Sequence, residues 1–165
     1  MPASPKPRPF PIRILLALVL ITAVSQFYRV SNGVIGPELM RELELGPAWL
    51  GIAGGTFFLA LALMQVPLGI AFDRYGARRV IGVLTVVTVI GALLNALAGS
   101  AAGLVVARLV LGIGCAGNFM GAVLLSARWF APDRYTTVLS WIFALSNIGT
   151  LLASAPLAWA SQMAG

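Results

Sequence analysis

Five long apolar segments, each long enough to cross a lipid bilayer, constrain the fold of this chain more than any other feature. A spanning helix needs about 20 mostly apolar residues, with a range of about 17–25. Segments that meet this criterion occupy residues 14–36, 48–72, 80–98, 103–127 and 136–160. Because most of the chain is of this kind, the sequence predicts an all-α membrane protein, a polytopic bundle of transmembrane helices whose surroundings are the lipid bilayer.

The breaks between these segments carry turn residues. Gly46-Pro47 precedes the second segment, a loop over 73–79 the third, Gly99-Ser100 the fourth and Pro132-Asp133 the fifth. Residues 1–13 are polar and rich in proline, so they predict a flexible cytoplasmic tail. We expect residues 14–165 to follow this tail as one domain of membrane-spanning helices.

The composition excludes several functional classes. Apolar residues make up 59% of the 165 residues and charged residues 10%, against roughly 45–50% and about 25% in a soluble domain. The net charge of +6 lies in short loops rather than on one soluble face, so we predict no nucleic-acid partner. Histidine is absent and Cys115 is the single cysteine. With no nucleophile–base pair, paired carboxylates or metal-ligand cluster, we predict a protein that is not an enzyme and uses no metal or cofactor.

The positions of the basic residues predict the orientation in the membrane. The positive-inside rule counts Lys and Arg in short loops. With the N-terminus inside, the outer loops carry only Arg41, beside three glutamates. The cytoplasmic side then receives Lys6, Arg8, Arg13, Arg74, Arg78, Arg79, Arg128 and Arg134. We therefore expect a cytoplasmic N-terminus.

Two glycine pairs have the spacing of close helix contacts. Gly51 and Gly55 lie four residues apart in the second segment, and Gly117 and Gly121 in the fourth. Such pairs let backbones approach closely in membranes. They predict tight packing and name no substrate.

Two arginines, Arg29 and Arg108, lie inside spanning segments at a similar depth. A charge there costs at least about 2.5–3.5 kcal/mol, so it usually faces a cavity or a partner. No Asp or Glu lies inside any segment, and a guanidinium fork suits a carboxylate or phosphate. An anionic substrate is one way to complete the site. The alternatives are snorkelling or pairing with Glu38 for Arg29, and hydrogen bonds to carbonyls of the first helix for Arg108.

Three of the predicted helices, the first, the fourth and the fifth, each carry a face with several polar residues. In the first segment they repeat at three- and four-residue steps, which places them on one face that we expect to line water. We predict that six side chains contact the substrate. They are Gln26, Arg29, Asn32, Arg108, Asn118 and Asn147.

The loop between the second and third segments predicts a gate. Two glycines permit a tight turn or close approach, and an aspartate can pair with an arginine or a helix N-terminus in one state and release it in another. The residues concerned are Gly69, Asp73, Arg74, Gly76, Arg78 and Arg79. For Arg78 and Arg79 the alternative is that they only anchor the topology.

This loop resembles the signature between helices 2 and 3 of the major facilitator superfamily. Further similarities are Gln65-Val-Pro67-Leu-Gly69, Arg108-Leu-Val-Leu-Gly112-Ile-Gly114, Arg128-Trp129-Phe130-Ala-Pro132 and Tyr28-Arg29-x-x-Asn32. Leu111 replaces the usual glutamine of the second pattern. The resemblance implies a two-lobed carrier of about twelve helices, of which this chain supplies the first five, so a second lobe or other helices become expected partners.

Together these features predict the N-terminal portion of a secondary transporter for a small organic or inorganic anion, located in the bacterial inner membrane. Arg29 would bind the anion, and Arg108 would assist it or tie the first and fourth helices together. The alternative is a five-span membrane protein without transport activity, either an assembly partner or a truncated remnant.

Overall fold

The computed structural model describes residues 12–130 and 132–163, and these residues form a bundle of helices with no strand among them. The helices are α1 (Ile12–Glu42), α2 (Pro47–Tyr75), α3 (Ala77–Ala96), α4 (Ala101–Trp129) and α5 (Pro132–Met163). The tail predicted for residues 1–13 lies outside the described residues, except that Ile12 and Arg13 already begin α1. At its other end α1 runs on to Glu42, past the predicted boundary, because residues 38–42 are strong helix formers.

Helix α4 forms the centre of the bundle. It packs along α2 and α3 on one side, while α1 packs along α5. Contacts of α4 with α1 and α5 join these two groups of helices. Leu104, Ala107, Leu111 and Ala116 of α4 are fully buried in these contacts. Ser100 begins the helix by accepting a hydrogen bond of 3.1 Å from the backbone nitrogen of Gly103.

Glycines of α4 bring its backbone close to α2 and α3. A Cβ atom at Gly112 would lie 2.5 Å from the carbonyl oxygen of Phe57, and one at Gly114 would lie 2.5 Å from the backbone nitrogen of Thr88. Real Cβ atoms do not approach that closely, so only glycine permits these contacts. The close helix packing around α4 therefore depends on the absence of side chains at these positions.

The two predicted glycine contacts have opposite outcomes. The prediction for Gly117 and Gly121 is confirmed, because both are buried and their missing side chains leave room for α3 side chains. The prediction for Gly51 and Gly55 is wrong, because both are exposed and no atom lies within 4 Å of an added Cβ. Spacing cannot show which face of a helix meets its neighbour, and α2 buries a different face.

The outer faces of the helices are apolar. On α2, Leu63, Val66 and Ile70 are exposed at three- and four-residue steps, and Val83 and Val86 continue this surface on α3. Contiguous exposed apolar surface of this kind is rare in soluble proteins and is expected where lipid surrounds the helices. The molecule is thus an integral membrane helix bundle.

Among the described residues, three helical stretches are long and apolar enough to span a membrane: Pro47–Tyr75, Ala77–Ala96 and Ala101–Ala127. Helix α1 adds a fourth if its two arms count as one span, because its axis bends by 49° between Ser31 and Gly33. Pro37 explains the bend, since it has no N–H for the carbonyl of Gly33 and its ring crowds that carbonyl. The arrangement of five spans stays a prediction.

Candidate functional site

A small polar cleft lies between α1 and α5. Its lining comes from Thr22, Ser25, Gln26 and Arg29 on α1 and from Phe143 on α5, and its volume is about 210 Å³. The α1 residues share one face because Ser25 and Gln26 lie three and four residues after Thr22, and four and three residues before Arg29. The spacing that indicates a polar stripe in the sequence therefore corresponds to one wall of this cleft.

Arg29 gives the cleft its charge. Its Nε atom is buried and has no hydrogen-bond partner among the described residues. None of the lining residues is acidic, and the described side chains include no ion pair between Arg29 and Glu38, which is exposed. A cation in such a place has hydrogen-bonding capacity left for a ligand, and the ligand that matches its charge is an anion.

Arg108 lies behind α1 rather than in this cleft. It is 2% exposed, and its Nη1 donates a hydrogen bond of 3.3 Å to the carbonyl oxygen of Tyr28. This is the alternative contact predicted for Arg108, a bond to a carbonyl of the first helix. Arg108 therefore ties α4 to α1 at the residue next to Arg29.

The predicted asparagines do not share the cleft. Asn118 is 4% exposed and donates to the carbonyl oxygen of Ile21 at 3.5 Å. Asn147 is exposed and donates to Phe143 in its own helix at 2.8 Å, while the side chain of Asn32 lies outside the described part of the chain. Of the six predicted contact residues, Gln26 and Arg29 line the cleft.

Asn118 instead faces a second groove, between α1 and α3. This groove has a volume of about 420 Å³ and a mostly apolar lining. The residues around it are Leu20, Ile21, Val24, Tyr28, Thr85, Thr88, Val89, Ala92, Leu93 and Asn118. Its composition suits apolar contacts more than the binding of a charged substrate.

Side chains from two helices hold α1 through its backbone. The hydroxyl of Ser146 on α5 is shared between the carbonyl oxygen of Ile142 in its own helix, at 2.7 Å, and that of Val19 on α1, at 3.2 Å. Arg108 and Asn118 of α4 donate to the carbonyl oxygens of Tyr28 and Ile21. These contacts use main-chain acceptors of α1.

The charged residues predicted to form a loop over 73–79 belong instead to the ends of α2 and α3, which only Gly76 separates, and they lie at the surface. Asp73, Arg74, Arg78 and Arg79 are all exposed, and the described side chains include no ion pair to Asp73. The guanidinium carbon of Arg74 lies 5.6 Å from the centroid of the Tyr75 ring. The structure thus records none of the latch contacts that a closed gate would have.

The two glycines predicted to take part in the gate differ in conformation. Gly76 has φ 78° and ψ 154°, a conformation essentially restricted to glycine, and it forms the one-residue turn between the helices. Gly69 is helical, and an added Cβ would meet no atom within 4 Å. The tight turn therefore depends on Gly76, and no close approach occurs at Gly69.

Three cleft residues were not among the predicted substrate contacts. Thr22 and Ser25 belong to the polar stripe of α1, so periodicity could have included them, but alone they resemble ordinary helical hydroxyl residues. Phe143 carries no sequence signal, because an aromatic residue in a spanning segment is most often part of the core. Only the packing of α5 on α1 reveals its position.

Most of the chain also matches a known family. The model of the Major Facilitator Superfamily matches residues 18–165. The chain belongs to this superfamily. The signature loop and the arginine–glycine pattern of α4 fall within the matched region.

Three similar proteins are named as transporters. The chain is 26% identical over 146 residues to the "Quinolone resistance transporter" of Acinetobacter baumannii, which covers 88% of this chain and 33% of that protein. It is 33% identical over 116 residues to the "Probable sulfoacetate transporter SauU" of Cupriavidus necator, covering 70% and 27%. It is 24% identical over 160 residues to the "Probable galactarate/D-glucarate transporter GudP" of Escherichia coli, covering 92% and 35%.

The chain thus spans about a third of the length of the relatives it matches. Its superfamily membership and helix bundle place it among integral membrane proteins.

Proposed function

We propose that this chain forms part of a secondary transporter that carries a small organic or inorganic anion by alternating access, with Arg29 as the residue that binds the anion. One observation carries the proposal. Arg29 lies in a polar cleft without an acidic neighbour in its lining, and its buried Nε has no partner among the described residues. Arg29 is partly buried, and an arginine inside a spanning segment usually faces a cavity or a partner.

The chemistry of the cleft suits a carboxylate or a similar oxyanion. The guanidinium is always charged and presents a planar fork of N–H donors that matches two oxygens at once. Gln26 adds an amide to the same lining.

The names of two relatives are consistent with this proposal. Sulfoacetate, galactarate and D-glucarate are organic anions, and these are the substrates that the names give to those proteins. A third relative is named for quinolone resistance, so the superfamily match alone does not select an anion. The choice of an anion rests on Arg29.

Other residues are assigned supporting roles. We propose that Arg108 fixes α1 beside the cleft, and that Asp73 and Arg74 form a latch on the cytoplasmic side when the gate closes. A bacterial inner membrane, with the N-terminus of the chain in the cytoplasm, is the proposed location. The second lobe that such a carrier needs is the proposed partner.

Ligand-dependent thermal unfolding tests the anion site. A ligand that binds the folded state raises the midpoint of unfolding by mass action. The purified chain is heated with carboxylates, phosphates, sugars and neutral amino acids, beside Arg29→Gln and the control Arg41→Gln, which removes an exposed arginine of the same helix. We expect stabilisation by anions only, lost in Arg29→Gln and kept in Arg41→Gln. Equal stabilisation of all three proteins, or of none, would contradict the assignment.

Cysteine labelling tests the orientation. In a Cys115→Ala background, Glu44→Cys and Arg79→Cys place single thiols at opposite ends of the spans. In intact cells a membrane-impermeant maleimide is expected to label the cysteine at 44 and to spare the one at 79. The reverse pattern would place the N-terminus outside.

A further inference from the structure

Thr22 is a cleft residue whose hydroxyl has no role within the bundle. The residue is 3% exposed, lines the cleft and lies seven positions before Arg29 on the same face of α1. Its Oγ1 atom is buried without a hydrogen-bond partner among the described residues. A buried hydroxyl without a partner destabilises the folded state, so a ligand that supplied a hydrogen bond to it would stabilise this site.

Other helical threonines of the chain behave differently. Thr56, Thr85 and Thr88 each donate to the carbonyl oxygen four residues earlier, at 2.7, 2.8 and 2.9 Å. This bond is the usual way in which a threonine hydroxyl is satisfied inside an apolar helix. Thr22 does not make the corresponding bond to Leu18, although Leu18 belongs to the same helix. Its hydroxyl therefore keeps its donor and its acceptor free.

The two ends of the cleft suit one short ligand. Seven residues of helix place the backbones of Thr22 and Arg29 about 10 Å apart. Long side chains of a helix tend to lean toward its N-terminus, a direction that runs from Arg29 toward Thr22. Threonine in a helix populates two χ1 rotamers, which lets the hydroxyl turn to a ligand without backbone movement. Gln26 lies between them.

We propose that Thr22 binds a hydroxyl group of a short hydroxycarboxylate whose carboxylate lies on Arg29. The proposal rests on the anion-binding function proposed above and adds a second recognition point to it. The carboxylate supplies a negative charge to pair with the positive charge of Arg29, and the hydroxyl group forms a hydrogen bond with Oγ1 of Thr22. Thr22 would then select hydroxylated acids over acids of equal length that have no hydroxyl group.

Paired ligands separate the two recognition points. Equilibrium binding is measured for propionate and lactate, succinate and malate, and adipate and galactarate, which differ within each pair only in hydroxyl groups. The proteins are the unmodified chain, Thr22→Val, Thr22→Ser and the control Thr56→Val, whose hydroxyl bonds within α2. Valine keeps the shape of threonine and removes an unpartnered hydroxyl, so we expect Thr22→Val to unfold at no lower temperature.

For at least one pair we expect the unmodified chain to bind the hydroxylated acid about 3- to 10-fold more tightly, which is the effect of one hydrogen bond. In Thr22→Val this ratio is expected to fall to about one while the affinity for the acid without hydroxyl groups stays the same. Thr22→Ser and Thr56→Val are expected to keep the preference.

Two results would overturn the inference and are distinct from each other. If anions bind but Thr22→Val keeps the preference, or the unmodified chain has none, Thr22 holds only a water molecule and the anion site stands without it. If none of the six acids binds and the wider anion panel also fails, the proposed function fails together with the inference.

Discussion

Nη1 of Arg108 lies 3.3 Å from the carbonyl oxygen of Tyr28, so the largest fully buried side chain of α4 is bonded to the residue that precedes Arg29 in α1. The bond fixes the position of the turn of α1 that carries the cleft. Its donor is a buried charge, whose removal from water costs several kcal/mol and is only partly offset by one neutral acceptor. The volume that Arg108 fills in the bundle is therefore expected to contribute much of its stabilising effect.

Two substitutions at Arg108 test this expectation. Arg108→Ala leaves a cavity between α1 and α4 and is expected to lower the free energy of unfolding by about 2–5 kcal/mol. Arg108→Met keeps most of the volume and removes the buried charge, so its loss is expected to be much smaller. Chemical denaturation in detergent micelles compares the two. Equal losses would show that the charge, and not the volume, stabilises the bundle.

The close contact of α4 with α3 is tested at Gly114. A Cβ there would lie 2.5 Å from the backbone nitrogen of Thr88, so Gly114→Ala forces the helices apart and is expected to cost about 1–3 kcal/mol. The control is Gly55→Ala, where an added Cβ meets nothing and alanine favours the helix by about 0.5–1 kcal/mol. Thermal midpoints are expected to move in opposite directions. A stable Gly114→Ala protein would show that α3 and α4 are not so close.

The turn between α2 and α3 is tested at Gly76. Its φ of 78° with ψ of 154° is a conformation that residues with a Cβ avoid, so Gly76→Ala is expected to destabilise the chain by about 1–3 kcal/mol. Gly82→Ala on the exposed side of α3 serves as the control, because an added Cβ meets no atom within 4 Å. Unfolding midpoints of both variants are measured under the same conditions. An unchanged midpoint for Gly76→Ala would contradict the observed turn.

The burial of Cys115 predicts its reactivity. It is the single cysteine of the chain, and none of its surface is accessible. A maleimide dye is expected to label it slowly in the folded protein and completely once heating unfolds the bundle. The same labelling reports the unfolding temperatures used above. Rapid labelling at low temperature would show that α4 is not at the centre of the bundle.

The sequence predicts the helices and the charged cleft residue better than it predicts their neighbours. Apolar segments of spanning length and turn residues mark where the helices lie, and the spacing of Gln26 and Arg29 places both on one face. Which residue of another helix meets that face depends on packing. On α5, Ser146 bonds to α1 while the predicted Asn147 is exposed, although the two are adjacent and differ by one step of about 100° around the helix.

The same limit explains the other differences. Periodicity describes one helix and contains no information on the rotation of a neighbouring helix about its axis. Arg108 and Asn118 occupy polar positions of α4, yet both bond to carbonyls on the back of α1 instead of entering the cleft. The hydroxyl of Thr22 is notable only because the structure shows that no group bonds to it.

The most direct test of the central claim is the dissociation constant of the best-binding anion, measured at equilibrium for the unmodified chain, Arg29→Gln, Arg29→Lys and Arg41→Gln. Loss of a charged hydrogen bond is expected to weaken binding about 10- to 150-fold in Arg29→Gln. The dissociation constant of Arg29→Lys is expected to lie between those of the unmodified chain and Arg29→Gln, because lysine keeps the charge and lacks the planar fork of donors. Arg41→Gln is expected to bind the anion as tightly as the unmodified chain. Unchanged affinity in Arg29→Gln would contradict the claim that Arg29 binds the substrate.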